Sequence, residues 1–357
     1  MKRATHLFLS IVILLSCGKS DNQIYPPDTI NAGDFISAAD ISAYPEIELS
    51  NPAFYNADNQ KEDLLSILKR NGVNTIRLRL WVNPSTGHSG FDEVSAFSKR
   101  LKKLGFKIWL TVHYSDTWAD PGNQEMPLQW QAADFMELKD SVEKYTQKIA
   151  MQLKPELIQI GNEINSGFLH PEGKLDTNPL QFGELMSVAI ASVREYSPAS
   201  KIIIHFAGIN NSTWFYEQMV NLDYDIIGLS YYPIWHGKNL NELKIKMEYL
   251  SQTFNKEIVI AETAYPFTLT WNDWTNNIVG LEEQLILPEF PDTPQGQKDF
   301  IRNIKTITKE VKGSIGFCYW GAELIAWKGE NALDGSPWEN QSLFDFDNKE
   351  LPALSEF

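Results

Sequence analysis

Cysteine is nearly missing from this chain: there are two in 357 residues, Cys17 and Cys318. One of them is expected to carry a lipid, as argued below, so no pair is left to bridge. The fold has to hold on buried apolar surface, for which a chain of this length suffices. Basic runs are missing as well. The formal charge is −15, and no stripe of Lys and Arg can displace counterions from phosphate, which argues against nucleic acid as a partner. There is no HExxH and no cysteine cluster for zinc, and "GHSG" at 87–90 is not a GxSxG elbow. No internal repeat or low-complexity segment divides the chain.

Long apolar runs are missing too, except at the N-terminus. There "ATHLFLSIVILLS", residues 4–16, follows "MKR" and ends directly at Cys17. The run is too short to cross a bilayer, which takes about twenty apolar residues. A positive start, an apolar core and a small residue before the cysteine resemble a bacterial lipoprotein signal, with a buried N-terminal strand as the competing reading. The expectation is a signal peptide over 1–16, lipid on Cys17, a polar tether over 17–32 and one catalytic domain over 33–357. Such a protein would sit outside the cytoplasm on the outer membrane, displayed at the cell surface in the further expectation. It would touch the membrane only through its lipid and work as a monomer.

The chain is well supplied with aromatics: Trp 11, Tyr 13 and Phe 19. Many lie beside Asp, Asn, Gly and Pro in loop-like contexts. More than half must be ordinary core residues. The others suit a neutral glycan, because sugar rings stack their apolar faces on aromatics and offer hydroxyls to planar polar groups.

Eight short runs rich in β-branched residues recur along the chain, at 35–42, 74–81, 106–114, 156–163, 201–207, 225–232, 257–263 and 314–320. Segments with helical spacing alternate with them. "KEDLLSILKRNG" puts Leu64, Leu65 and Leu68 on one face and ends at Gly72, and "DEVSAFSKRLKKLG" ends likewise at Gly105. Longer helices are expected over 134–153, 180–195, 239–254 and 295–311. Apolar strands joined by helices imply a parallel sheet covered on both faces, and eight such units close most simply into a (β/α)₈ TIM barrel. An open doubly wound sheet ranks lower, since no glycine-rich phosphate turn follows the first strand.

In a barrel the active site is built at the C-terminal ends of the strands. Those ends read Asp40, Arg79 with Trp81, His113 with Tyr114, Asn162 with Glu163, Tyr231 with Tyr232, Glu262, and Trp320. The fifth strand offers His205 and Phe206. Taken singly, Arg79 could be a structural ion-pair partner, His113 a satisfied core histidine and Asp40 a helix cap. The two glutamates differ, because an ionised carboxylate at the end of a buried strand costs several kcal/mol unless partners or function hold it. On strands four and seven they face each other, the arrangement for glycoside hydrolysis by one protonated and one ionised carboxyl. Arg79 and a phenol from Tyr231 or Tyr232 would favour the charged form of Glu262. Asn162 would present its amide to a sugar hydroxyl, and Trp320 would form a floor. No cofactor is called for in this chemistry. Asp273, Asn277 and Asp334 offer hard oxygens for a calcium ion, against the alternative of solvated loop residues.

Several stretches resemble the endo-β-1,4-galactanases of glycoside hydrolase family 53, in the clan of retaining barrels. They are "RLRLWVNP" (77–84), "HYSDTWADPGNQ" (113–124), "QIGNE" (159–163), "GLSYYPIWHG" (228–237), "AETAYP" (261–266), "YW" (319–320) and "WENQSLFDF" (338–346). The resemblance implies Glu163 as acid/base and Glu262 as nucleophile. Asn162, Arg79, His113 and Trp320 match residues around the reacting sugar. Trp81, Asp116, Trp118 and Asp120 fall at substrate contacts, Asp40 is a further candidate, and Tyr231 is favoured over Tyr232 as the inward phenol. Some bacterial members carry calcium in the loops after strands seven and eight, and "WNDWTNN" keeps part of that pattern, so any calcium here is structural. The implied activity is endo-cleavage of β-1,4-galactan, as in type I arabinogalactan side chains of pectin, with retention of configuration. The alternatives are a same-clan hydrolase of mannan, xylan or β-glucan, and a non-catalytic glycan-binding lipoprotein.

Overall fold

The computed structural model describes residues 35–357. The expected signal peptide, the tether and Cys17 therefore lie outside the described residues. Eight parallel strands close into a barrel in chain order: β1 (Ile36–Asp40), β2 (Thr75–Leu80), β3 (Lys107–Val112), β4 (Leu157–Ile160), β5 (Lys201–Ala207), β6 (Ile226–Ser230), β7 (Glu257–Thr263) and β8 (Ser314–Trp320). The last pairing, Ile36 with Gly316 through Asp40 with Trp320, leaves no free sheet edge.

The helices start where the sequence supplies caps. Asp63 accepts from the Ser66 amide ahead of Leu64–Arg70. Asp134 and Glu137 form a reciprocal capping box ahead of Phe135–Leu153, and Thr293 caps Pro294–Glu310. Helices also span Pro179–Tyr196 and Leu240–Phe254, within a residue of the expected bounds. Gly72 and Gly105 adopt φ of +98° and +77°, the left-handed conformation that ends a helix.

Strand alternation divides the apolar residues into two cores. Ile76, Leu78, Leu80, Ile108, Leu110 and their counterparts face outward and pack against the helices. Ile36, Trp109, Leu157, Ile203, Ile226, Val259 and Cys318 fill the barrel interior. Cys318 is a buried free thiol, so among the described residues the fold holds without a disulfide. Truncating a buried aliphatic of such a plug to alanine typically costs about 2–5 kcal/mol. The plug thus gives a stiff floor to whatever the same inner face carries above it.

One strand is shorter than its sequence suggests. The run 156–163 leaves the sheet after Ile160, because Gly161 turns with φ +78° and Glu163 follows with φ +47°. Glu163 therefore stands on a turn above β4, not on the strand itself.

Candidate active site

Above the apolar plug, the inward residues of the same strands become polar: Asp40 from β1, Arg77 from β2, Gln159 from β4, His205 from β5 and Ser230 from β6, all buried. Arg77 sits at their centre with 2% exposure. Its Nη1 donates to Asp40 Oδ2 at 2.7 Å, and its Nη2 donates to Glu262 Oε1 at 2.7 Å and Asn162 Oδ1 at 2.8 Å. Burial alone would lower the pKa of this guanidinium, but the carboxylates of Glu262 and Asp40 outweigh it and raise it. Arg77 is therefore a permanent charge inside the barrel.

This corrects the expectation for Arg79. The cation beside Glu262 is Arg77, two residues earlier on the same face of β2. Arg79 lies one layer higher, donating from Nε to Ser89 Oγ at 3.0 Å, with its guanidinium 4.3 Å from the Trp81 ring and 4.0 Å from the Trp118 ring. It lines the cavity without touching Glu262. "RLRL" contains both arginines, and period-two alternation puts both inside; nearness to the strand end does not tell which of them meets Glu262.

Glu262 reaches the interior through an irregularity. Val259 and Ala261 face inward, so strict alternation would send residue 262 outward. Between Leu229 and Ser230 the β6–β7 register shifts, Leu229 pairing with Ile260 and Ser230 with Glu262, a bulge that re-aims the carboxylate. Its second oxygen, Oε2, accepts from the Tyr232 hydroxyl at 3.0 Å. Tyr232 keeps the inward parity of Gly228 and Ser230. Tyr231 points away and donates to the Gly237 carbonyl at 2.7 Å, so the preference for Tyr231 is overturned.

Glu163 approaches from the opposite wall. A carboxylate oxygen of Glu163, one of Glu262 and a ring nitrogen of His205 lie within 4.8 Å of one another. Gln124 Nε2 donates to the carbonyls of Asn162 and Glu163 at 2.9 and 3.2 Å, fixing the turn that carries them. The Ser230 hydroxyl donates to Glu163 Oε1 at 2.5 Å. Burial, and then the charge of Glu262, push the Glu163 carboxyl up to about 8. Burial also raises Glu262, but there the cation of Arg77 and the phenol of Tyr232 oppose it. Glu262 therefore ionises first, and its charge holds the proton on Glu163.

A cleft of about 640 Å³ opens over the pair. Trp320 and Trp118 lie 5.9 Å apart on one side, and Trp338 meets Trp320 edge-on at 4.8 Å while stacking on Trp235. His113 sits below with Nδ1 accepting from the Ala119 amide at 3.1 Å, and burial followed by Arg79 and Arg77 keeps it neutral. Asp40, Asn162, Trp118, Asp120 and Trp320 all line this cleft. Trp81 and Asp116 do not; they line an adjoining recess of about 380 Å³. There Asp116 accepts from the amides of Asn83 and Leu128, at 2.8 and 2.9 Å, and so holds loops together. Trp235 and Trp338, both cleft residues, were not singled out from the sequence, although each falls in a stretch that carried the resemblance.

The three calcium candidates separate. Among the described residues, Asp273 Oδ2 and Asn277 Oδ1 are buried without a hydrogen-bond partner, as is Glu339 Oε2, and the Asn277 amide lies beside Glu339. Asp334 is not with them; its exposed carboxylate pairs with Lys328 at 3.0 Å.

A two-carboxylate cleft walled by tryptophans is the equipment of a glycoside hydrolase, and comparison with known proteins agrees. The family model described as glycosyl hydrolase family 53 matches residues 36–357. An arabinogalactan endo-β-1,4-galactanase of Cellvibrio japonicus is 35% identical over 340 residues, covering 90% of this chain and 89% of its own. The glycoside hydrolase family 53 catalytic domain of Ignisphaera aggregans superposes with a TM-score of 0.85 at 35% identity, over 93% of this chain and 97% of its own. A fungal β-1,4-galactanase structure superposes at 0.78 with 30% identity, over 89% and 97%. An exo-β-1,4-mannosidase from an Opitutaceae bacterium, at 14% identity and a TM-score of 0.57, shares the fold alone. The chain with Arg77 at its centre and Glu163 facing Glu262 belongs to glycosyl hydrolase family 53.

Proposed function

We propose that this enzyme cleaves internal β-1,4-galactosidic bonds of galactan, including the side chains of pectic arabinogalactan, and retains the anomeric configuration. The observation that carries this reading is the pair of carboxyl groups whose oxygens lie within 4.8 Å. Retaining enzymes hold the two carboxyls about 5–5.5 Å apart, whereas inverting ones leave about 6.5–9.5 Å for a water. The polysaccharide is suggested by the galactanase names of relatives aligned over about nine-tenths of the chain.

In this mechanism Glu262, ionised beside Arg77, attacks the anomeric carbon while Glu163 gives its proton to the departing glycosidic oxygen. A covalent galactosyl-enzyme forms and the leaving chain departs as an alcohol. Glu163, now a carboxylate, takes a proton from water, whose oxygen attacks the same carbon and frees Glu262. Asn162 is held by Arg77 at its oxygen and donates from Nδ2 to the Ala119 carbonyl at 2.9 Å, so its place at the cleft is fixed before substrate arrives. Trp320 and Trp118 offer faces to the sugar rings.

The two loop carboxylates and Asn277 fit a structural calcium. Three buried unpartnered oxygens are hard ligands, and Gly335 leaves room beside them, since a Cβ there would come 2.1 Å from Asp273 Oδ2. Asp273, Asn277 and Glu339 would hold the ion and brace the loops that carry Trp338. We extend the proposal to location: a monomer anchored by lipid on Cys17.

On linear β-1,4-galactan, with mannan, xylan and cellulose alongside, we expect short galactose oligomers from galactan alone. Glu262→Gln should lose cleavage by at least about 10³-fold while still binding galactan; cleavage of another glycan in place of galactan would overturn the specificity, and a Glu262→Gln enzyme still active would overturn the mechanism. The kcat/KM profile should be bell-shaped. It falls as pH rises through the Glu163 pKa of about 8, where the acid loses its proton, and falls again at low pH as Glu262 gains one. Tyr232→Phe removes a donor that favours ionised Glu262, so only the acid limb should move, toward higher pH; movement of the alkaline limb instead would reverse the two roles. Calcium at a hundredfold excess over its Kd should raise the thermal midpoint by about 4 °C over a chelator control. Asp273→Ala should abolish that rise, and an unchanged wild-type midpoint would remove the ion from the account. Cys17→Ser should shift the protein from the membrane to the soluble fraction as a monomer; a variant still sedimenting with membranes would rule out the lipid anchor.

A further inference from the structure

Beneath Glu163 lies a chain of hydrogen bonds whose direction is fixed from its far end. The indole Nε1 of Trp109 and the guanidinium of Arg77 can only donate. Trp109 Nε1 reaches Gln159 Oε1 at 3.2 Å and Arg77 Nη2 reaches the same oxygen at 3.4 Å, so the amide of Gln159 is oriented with its oxygen toward them. Its Nε2 then faces His205 Nδ1 at 2.9 Å, and the backbone amide of Glu163 points at that same nitrogen from 3.3 Å. Asn162 Oδ1 also lies 3.2 Å from Nδ1, and Gln159 Nε2 has the Gly161 carbonyl and Asn162 Oδ1 as further acceptors at 3.0 and 3.1 Å. The Glu163 amide, by contrast, meets no other acceptor among the described residues, so a proton on Nδ1 would leave it unpaired. Nδ1 therefore accepts, which puts the proton of this buried, neutral imidazole on Nε2. The Nε2–H lies 2.9 Å from Ser230 Oγ. Having received that bond, the serine has its own proton to give, and Glu163 Oε1 accepts it.

Resting on the reading of Glu163 as acid/base, we propose that His205 and Ser230 are positioning residues that dictate which oxygen of Glu163 carries the catalytic proton. An oxygen that must accept from Ser230 cannot itself hold the acid hydrogen facing that serine. The proton therefore sits on Oε2, which has no hydrogen bond to the described residues and belongs to the carboxyl lining the cleft. The same arrangement serves both halves of the reaction. Oε2–H gives its proton to the departing oxygen, and in the second half the bare Oε2 takes one from water. Oε1 accepts from Ser230 throughout, so nothing beneath the carboxyl has to turn between the steps.

The groups that bear electrostatically on Glu163 are Glu262 from β7, Arg77 from β2, Tyr232 beyond β6, His205 from β5 and Asp120 from the loop after β3. None of them replaces the bond that Ser230→Ala removes. Nitrogen-15 spectra of the wild-type enzyme should show His205 as the Nε2–H tautomer; the Nδ1–H form would overturn the proposal. Ser230→Ala should lower kcat/KM on galactan by about tenfold or more, yet by less than twofold on a dinitrophenyl β-galactobioside, whose leaving group needs no proton. Its alkaline limb should also move to higher pH. His205→Gln, which keeps a donor toward Ser230, should retain more activity than His205→Asn, which does not. Equal losses on both substrates, or no loss on galactan, would overturn the positioning role. Glu163→Gln with no preference for the activated substrate would instead sink the acid/base reading on which it rests.

Discussion

Everything in this site is arranged around one cation that water cannot reach. Arg77 is enclosed within the barrel, and an uncompensated charge there would cost several kcal/mol. It is tolerated because its two terminal nitrogens meet Asp40, Glu262 and Asn162 at 2.7–2.8 Å. The charge in turn settles its neighbours: it favours the anion of Glu262, adds to the burial that keeps His113 and His205 neutral, and holds the oxygen of Asn162 inward so that its amide nitrogen points the other way. A single fixed charge thus bears on the protonation of three groups, Glu262, His113 and His205, that come from three different strands or their ends.

The barrel supplies this arrangement by parity. Side chains two residues apart share a face, so a strand contributes an apolar residue to the plug and a polar one directly above it: Trp109 then Thr111 on β3, Leu157 then Gln159 on β4, Ile203 then His205 on β5. The two glutamates are the exceptions to that rule. Glu262 faces in because of a bulge on β7, and Glu163 because the chain leaves β4 early through two left-handed residues. At the ends of β4 and β7 the regular period would have turned a carboxylate toward the helices or left it too low, and the local irregularity there brings each one into the cleft.

That contrast explains what could be read from the amino acids. Alternation of apolar runs and capped helices marks eight units, and their bounds fall within one or two residues for most elements because caps such as Asp134 and stops such as Gly105 are local signals. The carboxylate pair was legible for a similar reason, as buried runs seldom end in ionisable groups. Depth was not legible. Arg77 and Arg79 have the same parity and differ only in layer, which depends on the stagger of β2 against β1 and β3, set by pairs such as Asp40 with Arg77. Tyr231 and Tyr232 differ only in parity, and the end of β6 lies beside the bulge that unsettles it. Asp116 sits in a stretch that carried the resemblance, yet its carboxylate is spent on two backbone amides.

The difference between the two glutamates cannot come from burial, which raises both. It comes from what each oxygen touches. Both oxygens of Glu262 accept from groups tied to the barrel wall, one of them a permanent cation, so its charge is stabilised before any sugar enters. Glu163 has one neutral hydroxyl on Oε1 and no hydrogen bond to Oε2 among the described residues, and it faces an anion across the cleft. Two identical side chains are thereby driven to opposite protonation states by a few donors of fixed direction. Those donors trace back to residues that never meet the substrate, Trp109 and Gln159 among them, so the polarity of the site is set in the floor of the barrel and only expressed at its mouth.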